Sequence, residues 1–154
     1  MVALDPTRSR TLPNQAAGAT LVELLFVVVV VAILASVAMP TYRGYMLRAH
    51  RVEAKTALLS LAAAQEKFYL QNGTYATNLA LTPAPPDGLG LRSTTQNGRY
   101  VIVIDAADTI GFSATATTAG AQTADDDCAT FTINVLGVKG ATDAGGSTAT
   151  ACWD

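Results

Sequence analysis

One stretch limits every fold open to this 154-residue chain. It is the apolar run 19–39, broken only by Thr20, Glu23 and Ser36. As a helix, a run of that length reaches across a bilayer's hydrocarbon layer, which takes about 20 residues. A buried core strand is far shorter. The five consecutive valines 27–31 are acceptable in such a helix, because lipid forces backbone groups to bond within the segment. An ordinary secretory signal is the competing reading, with Ala35-Ser36-Val37-Ala38 as a weak cleavage site after the run. Against it stand the length of the run and the carboxylate of Glu23 near its N-terminal edge. Arg8 and Arg10 precede the run; Arg43, Arg48, Arg51 and Lys55 follow it. A positive-inside count therefore favours the wrong end inside and does not fix the topology.

The apolar run accounts for much of the 50% hydrophobic content, so the rest is an ordinary globular sequence with few aromatics. Its core has to be small and built from Val, Ile, Leu and Ala. A net charge of −2 with no basic patch argues against a nucleic-acid-binding fold with a strongly basic face. Residues 1–18 are polar, carry two prolines, and read as a leader.

Pro40 ends the apolar run, and a proline in a helix interior kinks the axis. Beyond it the chain stays rich in helix formers. Apolar residues recur at Ala54, Leu58, Leu61, Ala62, Phe68 and Tyr69, a period near 3.6. Asn72-Gly73 supplies a stop. A helix over 21–71 measures roughly 76 Å at 1.5 Å per residue. Residues 72–99 read as loop, broken by Pro and Gly. Asn72-Gly73-Thr74 matches a glycosylation pattern, but a helix-ending turn explains it better. Strands are predicted at 100–104, 110–117 and 130–136, with a short fourth at 138–142.

The fold class expected is α+β: a long N-terminal helix whose second half packs on one face of a small antiparallel sheet of three or four strands. The domain division expected is a leader at 1–18, a membrane-spanning helix at 19–39, its amphipathic continuation at 40–72, and a loop plus sheet at 73–154.

Cys128 and Cys152 suggest one disulfide in an exported chain, two reduced thiols being the alternative. His50 lies between Arg48 and Arg51 on what reads as an exposed helix face, and a lone His makes neither a metal site nor a triad. Asp125-Asp126-Asp127 reads as a solvated loop rather than a calcium site. The sequence offers no Gly-rich phosphate loop, no metal-spaced Cys/His cluster and no paired catalytic carboxylates, so no catalytic residue, metal or cofactor is expected.

Gly18-Ala19-Thr20-Leu21-Val22-Glu23-Leu24 resembles the processing site of type IV prepilins. Pro40-Thr41-Tyr42-Arg43-Gly44-Tyr45 resembles the Pro and paired Tyr of type IVa pilins, with Pro40 in register with a mature chain starting at Ala19. Phe68-Tyr69 with Asn72-Gly73-Thr74-Tyr75 resembles the helix exit of PilE-like pilins, and Cys128 with Cys152-Trp153 their disulfide-bounded loop. The chain departs from the family at Ala16-Ala17, where a basic residue is usual, and at Ala19, where Phe or Met is usual.

The resemblance implies cleavage by prepilin peptidase between Gly18 and Ala19, N-methylation of Ala19, and a pairing of Glu23 with the Ala19 α-amine of a neighbouring subunit. It implies a single-pass inner-membrane precursor, bathed in lipid, that an inner-membrane assembly platform builds into a surface filament with other pilin subunits. Pro40, or the Gly-free stretch before it, is then where the helix is expected to loosen during extraction. Such a protein is structural rather than an enzyme, a minor pilin serving pilus assembly, motility, adhesion or DNA uptake. The alternatives are a type II secretion pseudopilin, and a minor pilin whose loops bind DNA or a surface. DNA has only Arg92 and Arg99 as modest cationic support.

Overall fold

The computed structural model describes residues 20–79 and 88–154. The leader, Gly18 and Ala19 lie outside them. The chain divides into two units, Met1–Met39 and Pro40–Asp154. A helix, α1, runs over Leu21–Asn72 and so contributes to both.

In the first unit α1 begins with a cap. The backbone N–H of Glu23 donates to Thr20 Oγ1 at 3.3 Å, and that of Leu24 to the Thr20 carbonyl at 3.1 Å. Thr-x-x-Glu is a capping-box pattern, and the Glu23 carboxylate in the first turn also faces the positive end of the helix dipole. Leu21, Leu24, Phe26, Ile33 and Leu34 all stand exposed. Among the described residues α1 is the one helix long and apolar enough to cross a membrane.

In the second unit α1 faces a four-stranded antiparallel meander. Its strands are β1 (Tyr100–Ala107), β2 (Phe112–Thr118), β3 (Thr130–Asn134) and β4 (Lys139–Thr142), in the order β1-β2-β3-β4. The expected fold class is observed. β1 is longer than its β-branched run because pairing continues past a register shift between Ile104 and Ala106.

Alternation puts Tyr100, Ile102, Phe112, Ala114, Ala116, Phe131, Ile133 and Ala141 in the core. The helix contributes Ala54, Leu58, Leu61 and Phe68 at spacings of four, three and seven, one stripe of the α-helix. Position 65 in that stripe holds a fully buried Gln. Its Nε2 donates to the Ala76 carbonyl at 2.7 Å, and its Oε1 accepts from the Ala76 N–H at 2.8 Å. Both polar ends are thereby satisfied, and the chain leaving the helix is held against it. Gly73, at φ +69°, makes the exit, its N–H bonding the Tyr69 carbonyl. Tyr75 then stacks on Tyr69, centroids 4.6 Å apart, and tilts against Phe112.

The C-terminal segment returns to the sheet. Cys128 and Cys152 form a disulfide, Trp153 Nε1 donates to the Gly140 carbonyl at 2.7 Å, and Phe131 meets Trp153 edge-on. The bridge closes a loop with a sequence separation of 24. Replacing both cysteines by serine is expected to cost about 3 kcal/mol in the chain-entropy estimate. Thermal unfolding of the full chain in mild detergent, followed by near-UV circular dichroism, measures it.

A basic groove and a buried polar network as the candidate functional site

The second unit's charges are arranged in two clusters on α1 and the segments opposite it. In the first, Arg51 makes a two-pronged bond to Asp125, Nε to Oδ2 at 2.8 Å and Nη2 to Oδ1 at 2.6 Å. Asp127 stands 3.6 Å from the same Nη2. A 3₁₀ turn over Gly120–Ala124 presents Gln122, whose Nε2 donates to the Leu47 carbonyl at 3.0 Å and to Asp125 Oδ2 at 3.1 Å. Asp125 is 3% exposed, so the first residue of the acidic run departs from the solvated loop its composition predicts. That first carboxylate is the buried counter-ion of Arg51, while Asp126 and Asp127 face solvent. Bonding to Asp125 raises the Arg51 guanidinium above its ordinary value.

In the second cluster Arg99 pairs with Glu53, and Asn97 Nδ2 donates to the same carboxylate oxygen at 2.5 Å. Burial pushes Glu53 up, but hydrogen bonding from Asn97, Thr95 and Arg99 outweighs it and leaves the carboxyl below its usual range. Arg99, expected as free cationic surface, is thus held by Glu53. Between the clusters lies Tyr100, wholly buried, with a hydroxyl that makes no well-formed hydrogen bond among the described residues. Burial first, then the nearby Asp125 charge, push that hydroxyl up to about 12.

Beside this network lies a groove of about 420 Å³. Tyr42, Met46 and Leu47 of α1, with Ala121 and Ala124 of the 3₁₀ turn, give it an apolar lining; Arg43 and Arg99 are its cations, with His50 and Gln122 beside them. His50 is therefore a groove residue, half-buried rather than on an exposed face. No cluster of three or more His, Cys, Asp or Glu that could hold a metal occurs among the described residues.

Of the residues singled out by sequence, Glu23 sits in the first turn of α1 and Pro40 within α1. Gly18 and Ala19 lie outside the described residues. Sequence reasoning missed Thr20 as a cap, although Thr-x-x-Glu before an apolar run signals one. It also missed Gln65, Gln122 and Asp125, whose pairings join segments far apart in sequence.

A helix-plus-meander unit with a C-terminal disulfide, preceded by an apolar helix, defines the type IV pilin class. The chain belongs to that family. A family model described as type IV minor pilin ComP, DNA uptake sequence receptor, matches residues 40–132, more than half of the chain. A second, the prokaryotic N-terminal methylation motif, matches residues 13–39.

Among curated relatives, the fimbrial protein EcpC of Eikenella corrodens is 33% identical over 96 residues, 61% of this chain and 58% of that protein. The type IV major pilin PilE1 of Neisseria gonorrhoeae is 33% identical over 91 residues, covering 59% and 40%. The wide-pilus major component PilA4 of Thermus thermophilus is 34% identical over 95 residues, covering 62% and 70%. The chain spans 58%, 36% and 40% of the length of the first three curated relatives it matches. The minor pilin PilV of Neisseria meningitidis superposes with a TM-score of 0.49 at 22% identity, over 69% of this chain and 96% of that one. The family is one of structural pilins that assemble with other pilin subunits, and the apolar helix with its methylation motif points to membrane anchoring before the pilus.

Removing one partner of a buried ion pair costs more than removing both. Asp125→Ala is expected to destabilise the chain by about 3 kcal/mol, and Arg51→Leu with Asp125→Leu to recover most of that. Chemical denaturation of the two variants decides it.

Tyr100 titrates higher folded than unfolded, so its contribution is fully present below the unfolded pKa and is lost as pH rises through about 12. Tyr100→Phe is expected to flatten the loss of stability between about pH 10 and 12. At neutral pH the same change should cost little, since Gln122 offers the hydroxyl no more than a weak hydrogen bond.

Proposed function

We propose that this chain is a minor subunit of a type IV pilus whose second unit captures duplex DNA. The observation that carries the reading is the match of residues 40–132 to the DNA uptake sequence receptor family. In this reading prepilin peptidase cuts between Gly18 and Ala19, Ala19 is N-methylated, and the inner-membrane assembly platform draws the subunit into the filament. Glu23 pairs with the α-amine that cleavage creates on a neighbouring subunit. An unpaired carboxylate in an apolar setting is costly, so this pairing favours one axial register. Pro40 is the point where α1 loosens as the subunit leaves the bilayer. The role is structural and recognitive, with no turnover.

The overall charge of −2 gives no broad basic face, so DNA capture has to rest on a local group. We place it at Lys55 and Lys139, beside the C-terminal Trp153. Lys139 Nζ lies 5.3 Å over the Trp153 ring. The Lys55 ammonium donates to the Asp154 carbonyl at 2.6 Å and is held below its ordinary value, first by burial, against the attraction of Asp154, and also by repulsion from Arg51 and Lys139, which marks these cations as neighbours. Ammonium groups of this kind contact phosphates, and each phosphate neutralised steepens the salt dependence of binding.

Fluorescence anisotropy of a labelled duplex with the full chain in uncharged detergent tests the placement. Lys139→Ala is expected to weaken binding and to reduce the slope of log K against log salt by about 0.9. An unchanged slope sinks the placement; no binding at any salt sinks the DNA reading. Mass spectrometry of sheared filaments tests the rest. The chain is expected there as a scarce component starting at methylated Ala19, and Glu23→Ala is expected to lower its incorporation without blocking cleavage. A mature N-terminus near Met39 overturns the filament reading.

A further inference from the structure

The groove beside the polar network serves neither the filament contact at Glu23 nor the Lys55–Lys139 face. We propose that it holds the phosphoglycerol headgroup of an anionic phospholipid while the chain is anchored in a bilayer.

Charge is the first argument. The titratable groups lining the groove are Tyr42, Arg43, His50 and Arg99, and no carboxylate lines it. Arg99 is partly spent on Glu53, while Arg43 is exposed and forms no ion pair with a described carboxylate. The electrostatics therefore call for an anion, with Arg43 as its principal partner.

The lining is the second argument. Tyr42, Met46, Leu47, Ala121 and Ala124 bring apolar surface beside those cations. A duplex presents its phosphates on a hydrated, convex rail with no apolar body to bury. A phospholipid carries both, a phosphodiester joined to a glycerol backbone and acyl chains. The volume of about 420 Å³ falls in the range of roughly 300–1,000 Å³ usual for small-molecule sites.

Chain distance is the third. Tyr42 comes three residues after Met39, where the apolar run ends. Three residues of chain span at most about 11 Å in any conformation. An anchor in the bilayer therefore keeps this end of the groove within reach of the headgroup layer. Tethering also raises the effective lipid concentration, so a weak site suffices. Finally, the wall is preformed. Gln122 is tied to the Leu47 carbonyl and to Asp125, itself held by Arg51, so little ordering remains to be done on binding.

Native mass spectrometry of the full chain in uncharged detergent is the test, with phosphatidylglycerol or phosphatidylcholine added. Phosphatidylglycerol is expected to be retained and phosphatidylcholine not. Arg43→Gln is expected to lower retention about fivefold, the usual effect of one cation near an anionic surface. Ala121→Phe, which fills the groove, is expected to abolish it. Arg92→Gln, an exposed cation outside the groove, is expected to change nothing, and so is Lys139→Ala, which separates this outcome from that of the DNA reading.

Equal retention of the two lipids overturns the proposal, as does an equal loss in Arg43→Gln and Arg92→Gln. Full competition by glycerol 3-phosphate reassigns the groove to a free phosphate ester. Displacement of the lipid by a DNA duplex, with Arg43→Gln weakening the duplex more than the lipid, reassigns it to nucleic acid.

Discussion

The second unit depends on one seam, where the stripe Ala54, Leu58, Leu61, Gln65 and Phe68 of α1 is buried in one core with the inner face of the sheet. The sheet side of that core is rich in alanine, with Ala114, Ala116 and Ala141 among its buried residues. Small residues there leave room for leucines from the helix, and the aromatic residues Tyr100, Phe112 and Phe131 fill the ends. Among the described residues the buried apolar side chains form one cluster, so a fault in the seam is felt throughout it. That is why the polar intruder in the stripe, Gln65, has both ends of its amide bonded at one residue.

Charge is handled by the same rule. Arg51 and Arg99 lie on the half-buried border of the seam, and each has a carboxylate waiting, Asp125 and Glu53. These pairs align the 3₁₀ turn and the start of β1 against the helix more than they add stability, since burying two charges offsets much of their attraction. The cations left facing solvent are fewer than the sequence total implies. Recognition by this chain therefore has to work through small local groups and not through a broad field.

The class of fold was legible because its signals are periodic and local. A 3.6-residue repeat, β-branched runs, and Asn72-Gly73 each act within a few residues, and all agree with the observed elements. What escaped is non-local. Nothing near Asp125 in sequence announces Arg51, 74 positions away, so an acidic triplet read as solvent-facing. Gln65 went unnoticed in the stripe because its partner, Ala76, lies beyond the helix end. His50 read as exposed because helical periodicity says which residues share a face but not what other segment covers it. The end of β1 was set too early for the same reason, since its last residues are strand only through their partners on β2.

The chain on either side of the segment 80–87 is stitched together. The Leu89 N–H bonds the Asn78 carbonyl at 3.1 Å, and the Leu91 N–H bonds the Leu79 carbonyl at 3.0 Å. The flanks 78–79 and 89–91 thus close on one another as a stem. Lengthening the connection across such a closed stem costs little, about 0.6 kcal/mol for each doubling. The fold therefore tolerates insertion or deletion between those flanks far better than within the helix or the meander, whose residues share one core.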